Sequence, residues 1–178
     1  EALNNGTHMV DLARWGLGAD YPTKVTSSGG RYHYKDDWET PDTQIVSFEF
    51  GGEKAITWEG RSCNNFPLEK AGRGFIIYGD KGTLVNGGND DYAIYDYNNK
   101  LVKEVKSDAK NDPTNPVSTS GNLDFYHFNN FTESIRGNAK LTSPVDEGAK
   151  SVLLCHLANI AQRTGRTLNC DPKNGHIL

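Results

Sequence analysis

Two alternating runs of residues separated by a glycine pair constrain the fold of this chain most strongly. The first run spans 44–50 and the second spans 54–60, with Gly51 and Gly52 between them. Alternation of apolar and polar side chains is typical of half-buried strands, and a short glycine-containing connection joins two such strands into a hairpin. One face of this hairpin carries the apolar side chains of Val46, Phe48, Phe50, Ile56 and Trp58.

Further strand-like segments lie on both sides of the hairpin. Residues 22–34 are rich in Tyr and Thr and predict a strand that is interrupted at Gly29 and Gly30. The other predicted strands are 74–79, 83–85, 92–97, 101–105 and 167–170. Because tight turns join several of these strands, we expect a mainly antiparallel sheet.

Three segments have the periodicity of amphipathic helices. The first spans 7–17, with Thr7 as N-cap, and ends at Gly18. A second helix at 122–136 places four apolar residues near one face, which are Phe125, Phe128, Phe131 and Ile135. The third is expected to start at Ser143-Pro144 and to end at Gly165. Residues 107–121 between them predict a long loop.

The order of these elements predicts the fold class. One helix, a run of strands and then two helices indicate an α+β domain with a large, mainly antiparallel open sheet and helices packed on one face. The opposite sheet face must be solvated or covered. The apolar and aromatic content of the predicted strands is high for a sheet with a solvated face. These strands contain Trp58, Tyr78, Tyr92, Tyr95 and Tyr97. A homo-oligomer through the sheet face is therefore predicted.

Composition excludes several classes of function. The net charge is −4 and there is no block of basic residues, so no nucleic-acid partner is expected. The mean hydropathy of −0.66 and the lack of a long apolar run argue against a membrane span. The three cysteines contain no Cys-x-x-Cys pair, so a zinc site is not expected. No Gly-x-Gly-x-x-Gly motif opens a βα unit, so no dinucleotide site is predicted within this chain.

The strongest candidate for acid–base chemistry is His8, in the first turn of the first predicted helix. Asp11 follows three residues later and shares a helix face with it. Imidazole exchanges protons near neutral pH, which suits a general acid or base. The same pattern also fits a half-exposed histidine with Asp11 as its solvated partner. His33, His127 and His156 are better explained as ordinary surface or packed residues.

Several motifs, taken in chain order, resemble one protein family. Residues 6–15, Gly-Thr-His-Met-Val-Asp-Leu-Ala-Arg-Trp, are similar to the start of the C-terminal domain in the glucose–fructose oxidoreductase / inositol dehydrogenase / rhizopine catabolism (Gfo/Idh/MocA) family. Further similar segments are 40–43, 48–50, 56–59, 78–84, 128–131 with 135–136, and 157–161 with 163–166. The resemblance therefore covers nearly the whole chain.

The resemblance implies a two-domain oxidoreductase. Its N-terminal Rossmann domain binds NAD or NADP, and its C-terminal domain binds the substrate and oligomerises. Residues 1–178 correspond to the C-terminal domain alone. Since the chain starts at Glu1 without an initiator Met, we expect that an N-terminal part has been removed, that this chain holds no cofactor and that it is inactive by itself. The compartment stays open, with the cytoplasm favoured over a bacterial periplasm.

The resemblance also implies a substrate site. Relatives have an Asp-x-x-x-His motif, in which the histidine assists proton transfer during hydride transfer from a sugar or polyol. His8 matches that histidine, but Asn4 stands where the aspartate would be. Asn can hydrogen-bond a hydroxyl but cannot accept a proton.

With His8 as the catalytic residue, the expected substrate-binding residues are Asn4, Asp11, Trp58 and Arg61. The substrate itself is expected to be a sugar-like small molecule. Because Asn4 replaces the aspartate, two alternatives stay open. One is a relative that cleaves glycosides with the help of NAD, and the other is a non-catalytic carbohydrate-binding or assembly module.

Overall fold

The computed structural model describes residues 2–67, 71–88, 91–106 and 123–178. The predicted loop 107–121 lies outside these residues. The helices are α1 (Thr7–Leu17), α2 (Leu123–Ile135) and α3 (Val145–Thr164), and a π-helical turn (Ala2–Gly6) precedes α1. The strands are β1 (Lys24–Gly30), β2 (Thr43–Phe50), β3 (Lys54–Arg61), β4 (Phe75–Gly79), β5 (Gly82–Asn86), β6 (Tyr92–Tyr95), β7 (Leu101–Val105) and β8 (Leu168–Asn169).

The strands form two antiparallel sheets of four strands each within the described residues. The first sheet has the order β3-β2-β1-β8 and the second has the order β4-β5-β6-β7. This arrangement confirms the antiparallel α+β class. The predicted open sheet is divided between β3 and β4, which are edge strands and line opposite sides of a cleft.

The predicted hairpin forms the centre of the first sheet. Val46 pairs with Trp58 and Phe48 pairs with Ile56 across β2 and β3. All five apolar side chains predicted for one face are buried, as expected. They pack with α1 and α3 in a single core cluster, whose helical members include Val10, Ala13, Leu154, Leu157, Ala158 and Ala161.

The first strand ends earlier than the sequence pattern predicted. β1 ends at Gly30, so Tyr32 and Tyr34 leave the sheet. The buried carboxylate of Asp42 accepts hydrogen bonds from the backbone N–H groups of Tyr32, His33 and Tyr34 at 2.9–3.1 Å. These bonds replace a strand ladder, so the predicted continuation to residue 34 is wrong.

The start of α1 also differs from the prediction. The chain is already helical from Ala2, and Gly6 has helical dihedrals (φ −59°, ψ −38°). Thr7 is therefore not an N-cap, and its Oγ1 donates to the carbonyl of Ala2 at 3.3 Å. Because this turn precedes His8, the prediction that His8 lies in the first helical turn is wrong.

Glycines end two helices as predicted. Gly18 after α1 and Gly165 after α3 adopt left-handed dihedrals, with φ of 57° and 63°. The start of α3 lies slightly later than expected, because Pro144 is still extended (ψ 151°) and Val145 is the first helical residue.

Two surfaces of the fold are not covered by its core. The predicted apolar face of α2 is 51–71% exposed at Phe125, Phe128, Phe131 and Ile135. In the second sheet, all of whose strand residues are described, no side chain is fully buried. Among the described residues no helix is both long and apolar enough to cross a bilayer.

Candidate functional site

The start of α1 lies at the C-terminal end of β3. Lys54 Nζ, at the start of β3, donates to the carbonyl of Leu17 at 2.7 Å, so the strand begins beside the end of the helix. Nearer the other end, Gly6 packs against the Trp58 indole, where an added Cβ would lie only 3.0 Å from the ring. The antiparallel course of helix and strand therefore brings Asn4 and His8 toward the end of β3 that carries Arg61.

The side chains of His8 and Asn4 are both exposed. They are separated by four residues of continuous helix, so they lie about one turn apart on the same side of it. An exposed imidazole at this position can exchange protons with solvent or with a bound hydroxyl group. An amide one turn away can donate or accept a hydrogen bond.

Asp11 faces α3 and is part of an ion-pair network. Its Oδ1 accepts a short hydrogen bond from Ser151 Oγ. Arg14, which is only 3% exposed, donates to Ser151 Oγ at 2.9 Å, to the Ala19 carbonyl at 3.1 Å and to Glu147 Oε2 at 2.9 Å. The sequence shows Arg14 inside the apolar stripe of α1, but that pattern did not reveal that its guanidinium ties the two helices together.

The network favours the charged form of Glu147. Hydrogen bonds from Lys150 and from Arg14 lower the pKa of Glu147. Asp11 lies 3.7 Å from Arg14, and its side chain is 49% exposed. Asp11 therefore contributes to the packing of α1 on α3 while part of its carboxylate still reaches solvent.

Trp58 and Arg61 line a cleft of about 1230 Å³ between β3, β4 and α1. Trp58 is only 9% exposed, so most of its ring belongs to the core. The guanidinium of Arg61 pairs with Glu59 at 2.6 Å through its Nε. Asn5 also lines the cleft, whereas His8 and Asn4 do not. The structure thus separates the predicted site residues into an exposed pair on the helix and two cleft residues.

No group of three or more potential metal-ligating side chains is found among residues 2–67, 71–88, 91–106 and 123–178. Cys155 is buried, and burial raises the pKa of its thiol. Its Sγ lies 3.6 Å from Thr7 Oγ1, at the contact between α1 and α3. This geometry favours a packing role for the thiol.

Comparison with family models identifies the family of this chain. The matching model describes the C-terminal alpha/beta domain of an oxidoreductase family, and it matches residues 2–170. The chain belongs to the Gfo/Idh/MocA oxidoreductase family. Comparison with curated proteins yields no match.

Solved structures share the fold of this family member. An oxidoreductase from Agrobacterium radiobacter in complex with NAD+, L-tartaric acid and magnesium has a TM-score of 0.73 and 16% identity, over 95% of this chain and 48% of that one. UDP-N-acetylglucosamine 3-dehydrogenase GnnA from Acidithiobacillus ferrooxidans has a TM-score of 0.64 and 13% identity, over 92% and 49%. The WlbA dehydrogenase from Bordetella pertussis, in complex with NADH and UDP-GlcNAcA, has a TM-score of 0.57 and 14% identity, over 94% and 44%.

The chain spans about half the length of these structures. At such low identities the similarity shows the fold alone.

Proposed function

We propose that this domain binds the substrate and supports oligomerisation in an NAD(P)-dependent oxidoreductase that acts on a sugar or polyol-like molecule. Family membership supports the reaction class. The substrates named for WlbA and GnnA are derivatives of sugars, and L-tartaric acid in the Agrobacterium protein also carries adjacent hydroxyl groups. Each supports a hydroxylated substrate for this family member.

The exposed position of His8 is the observation that carries this proposal. His8 matches the histidine of the family motif by resemblance, and its side chain is exposed, as is that of Asn4 in the preceding π-helical turn. His8 accepts the proton of the substrate hydroxyl when the carbon is oxidised, and returns it in the reverse reaction. Asn4 hydrogen-bonds the hydroxyl and fixes its orientation.

The other three residues contribute from the scaffold. Asp11 is held by Ser151 and Arg14, so its main effect is to position the helix that carries His8. Trp58 and Arg61 form part of the cleft next to the start of that helix. Trp58 supplies an apolar wall and Arg61 a hydrogen-bond donor for a substrate that extends into the cleft.

The cofactor belongs to another part of the protein in this proposal. The chain has no glycine-rich motif between a strand and a helix, so none of its residues is assigned to NAD or NADP. When bound, a nicotinamide supplies the acceptor or donor of the hydride. The residues of this domain bind and orient the substrate and handle its hydroxyl proton.

The second sheet supports the proposal of a homo-oligomer. Its strands have no fully buried residue, and Tyr78 of β4 is 79% exposed. The predicted strand 92–97 ends at Tyr95, so Tyr97, which is 71% exposed, lies in the turn after β6. Sheets with two accessible apolar faces are stabilised when a partner covers one of them. A second copy of the chain is the partner we assign to this sheet.

Asn4 favours a second candidate, a non-catalytic carbohydrate-binding or assembly module. An amide cannot hold the charge that an aspartate would place beside His8. The decisive experiment uses the full-length protein, purified without added nucleotide and then denatured. Release of stoichiometric NAD(H) or NADP(H), measured by absorbance and mass, supports the oxidoreductase. Absence of nucleotide, with none bound on addition, supports the module.

A variant pair then tests the role of His8. With nucleotide bound, oxidation of a panel of sugars and polyols is compared between His8→Ala and His156→Ala. His156 is also exposed but lies on α3, outside the proposed site. Loss of turnover in the His8 variant alone supports the assignment, and equal activity of both variants contradicts it.

A further inference from the structure

The π-helical turn Ala2–Gly6 carries Asn4, one of the two exposed side chains of the proposed site, and α1 follows it with Thr7 and His8. A π-helical turn is rare in proteins, where it appears mostly as a single turn within a longer helix and frequently at a functional site. The contacts that hold this turn therefore affect the geometry of the site.

The π-helical turn changes the direction of Asn4 relative to His8. In an uninterrupted α-helix, side chains four residues apart are offset by about 40° around the axis, because a turn holds about 3.6 residues. A π-helical turn closes i→i+5 bonds and holds more than four residues, so its share of this offset has the opposite sign. Because the chain passes from the π-helical turn into α1 between Asn4 and His8, the two side chains point more nearly in one direction than in a regular α-helix.

The Thr7 hydroxyl ties the two ends of this turn together. Thr7 Oγ1 donates a hydrogen bond to the carbonyl of Ala2 at 3.3 Å, five residues back, which is the span of a π-helical backbone bond. The Sγ of Cys155 on α3 lies 3.6 Å from the same Thr7 oxygen. Since that oxygen uses its hydrogen on Ala2, the thiol is the donor in this contact, and burial keeps it protonated by raising the pKa of Cys155. A chain of contacts therefore runs from α3 through Thr7 to the first residue of the turn.

Burial fixes both ends of the turn and leaves its middle exposed. Ala2 is 2% exposed, and Gly6 is buried against the Trp58 indole, where an added Cβ would lie 3.0–3.1 Å from two ring carbons. The three residues between Ala2 and Gly6 are all exposed. The core thus holds the turn at its ends while Asn4 faces solvent.

The fold leaves the polar groups of Asn4 and His8 unused. In the part of the chain that the structure describes, neither the Asn4 amide nor the His8 imidazole forms a hydrogen bond or an ion pair. The amide therefore stabilises no contact of the turn that carries it. Both groups are available to a bound hydroxyl group, which can donate to an imidazole and accept from an amide.

We propose that Thr7 is a positioning residue that keeps the Asn4 amide in line with the His8 imidazole. The hydroxyl of Thr7 holds the π-helical turn closed against α3, so that both side chains reach one substrate hydroxyl group. Asn4 then donates a hydrogen bond to the oxygen of that group while His8 accepts its proton. The catalytic part of this inference rests on the proposed function, whereas the alignment is a property of the protein without substrate or cofactor.

Nuclear magnetic resonance tests the alignment without substrate or cofactor. The full-length protein is labelled selectively at Asn and His, and nuclear Overhauser effects are recorded between the Asn4 side-chain amide protons and the His8 ring protons. We expect a cross-peak in the unsubstituted protein and in Thr7→Ser, which keeps the hydroxyl. Thr7→Val has nearly the same shape but no donor, so its cross-peak should be lost or fall severalfold.

Steady-state kinetics tests the consequence for catalysis. In the proposed oxidoreductase reaction, Thr7→Val should lower kcat about tenfold, because a small misplacement of one group slows a positioned reaction strongly. KM should change by less than about twofold, because the contacts that bind the substrate stay in place. Thr7→Ser should keep the original kcat. In an Asn4→Ala background, Thr7→Val should cause little further loss, because effects that act through one group are not additive.

Thr164→Val is the matched control. Thr164 ends α3, and its Oγ1 donates to the Ile160 carbonyl at 2.8 Å, so this substitution removes a bond of the same kind outside the site. It should leave the cross-peak and kcat unchanged. Thermal unfolding verifies that each variant is folded at the assay temperature. Where Thr7→Val does not fold, Thr7→Ala removes the same hydroxyl with a smaller side chain, and the same results are expected of it.

The two measurements separate this inference from the proposed function. An unchanged cross-peak in folded Thr7→Val would overturn the inference, and so would the lack of a cross-peak in the unsubstituted protein. An equal loss of kcat with and without Asn4 would also overturn it, since Thr7 would then act independently of the amide. A cross-peak lost only in Thr7→Val, in a protein that oxidises no sugar or polyol, would support the alignment and contradict the redox proposal.

Discussion

Replacement of Arg14 should destabilise the domain strongly, although this residue is outside the proposed site. Its guanidinium is 3% exposed and joins α1, the following turn and α3 through Ser151, Ala19 and Glu147. Arg14→Met keeps most of the apolar stem but removes every donor. The variant therefore isolates the polar network from side-chain packing.

The magnitude follows from the groups that lose a partner. The Ala19 carbonyl and Ser151 Oγ lose donors in a buried environment, and each such loss costs about 1–3 kcal/mol. The carboxylates of Asp11 and Glu147 are 49% and 44% exposed, so water can solvate them again and they add little. We expect a total loss of about 2–6 kcal/mol in the free energy of unfolding.

Urea unfolding at pH 7, followed by circular dichroism, measures this difference. The matched control is Arg163→Met, since Arg163 is exposed in the last turn of α3. Its loss should cost no more than about 0.5 kcal/mol. Equal midpoints for the two variants, with equal denaturant slopes, would refute the conclusion that the Arg14 network stabilises the contact between α1 and α3.

Three further predictions concern replacements of Asp42, Asn4 and Gly6. The lowered pKa of Asp42 means that its contribution to stability is present above the unfolded-state pKa and is lost as pH falls through the folded-state value. Asp42→Asn should therefore flatten the acid limb of stability against pH, measured by urea unfolding from pH 7 down to pH 2. In the proposed oxidoreductase reaction of the full-length protein, Asn4→Asp should raise kcat about tenfold, because a carboxylate can support the protonated imidazole of His8. Gly6→Ala should lower the free energy of unfolding by about 1–2 kcal/mol, because the new Cβ would press on the Trp58 ring. The control is Gly51→Ala, since no atom lies within 4 Å of a Cβ at that position.

Each of these predictions has a clear contrary result. An unchanged acid limb in the Asp42 variant would mean that the carboxylate adds no pH-dependent stability. A fall in kcat for Asn4→Asp would contradict the expectation that a carboxylate at position 4 supports the His8 imidazole. Equal melting temperatures for the Gly6 and Gly51 variants would show that the Trp58 contact tolerates a methyl group.

Local patterns were sufficient for several parts of the fold. The alternation of residues 44–50 and 54–60 identified both strands of the central hairpin and the five side chains that they bury. Gly18 and Gly165 marked two helix ends, because a left-handed residue there satisfies the last carbonyls at little steric cost. These features depend on residues close to one another in the chain.

Tertiary contacts decided the features that the sequence analysis missed. β1 ends at Gly30 because the Asp42 carboxylate, eight to ten residues further along the chain, accepts the backbone N–H groups of Tyr32, His33 and Tyr34. The division into two sheets depends on the edges of β3 and β4, and no residue pattern indicated it.

The sequence by itself determined the α+β class, the central hairpin and the resemblance to the family. Only the tertiary structure decided that Asp11 faces Arg14 and Ser151, and that Asn4 and His8 lie outside the cleft. The physical reason is the separation along the chain over which each kind of interaction acts. Helix periodicity and turn chemistry act over a few residues, whereas the contacts of Asp11 and Arg14 with α3 join residues 133–140 positions apart in the chain.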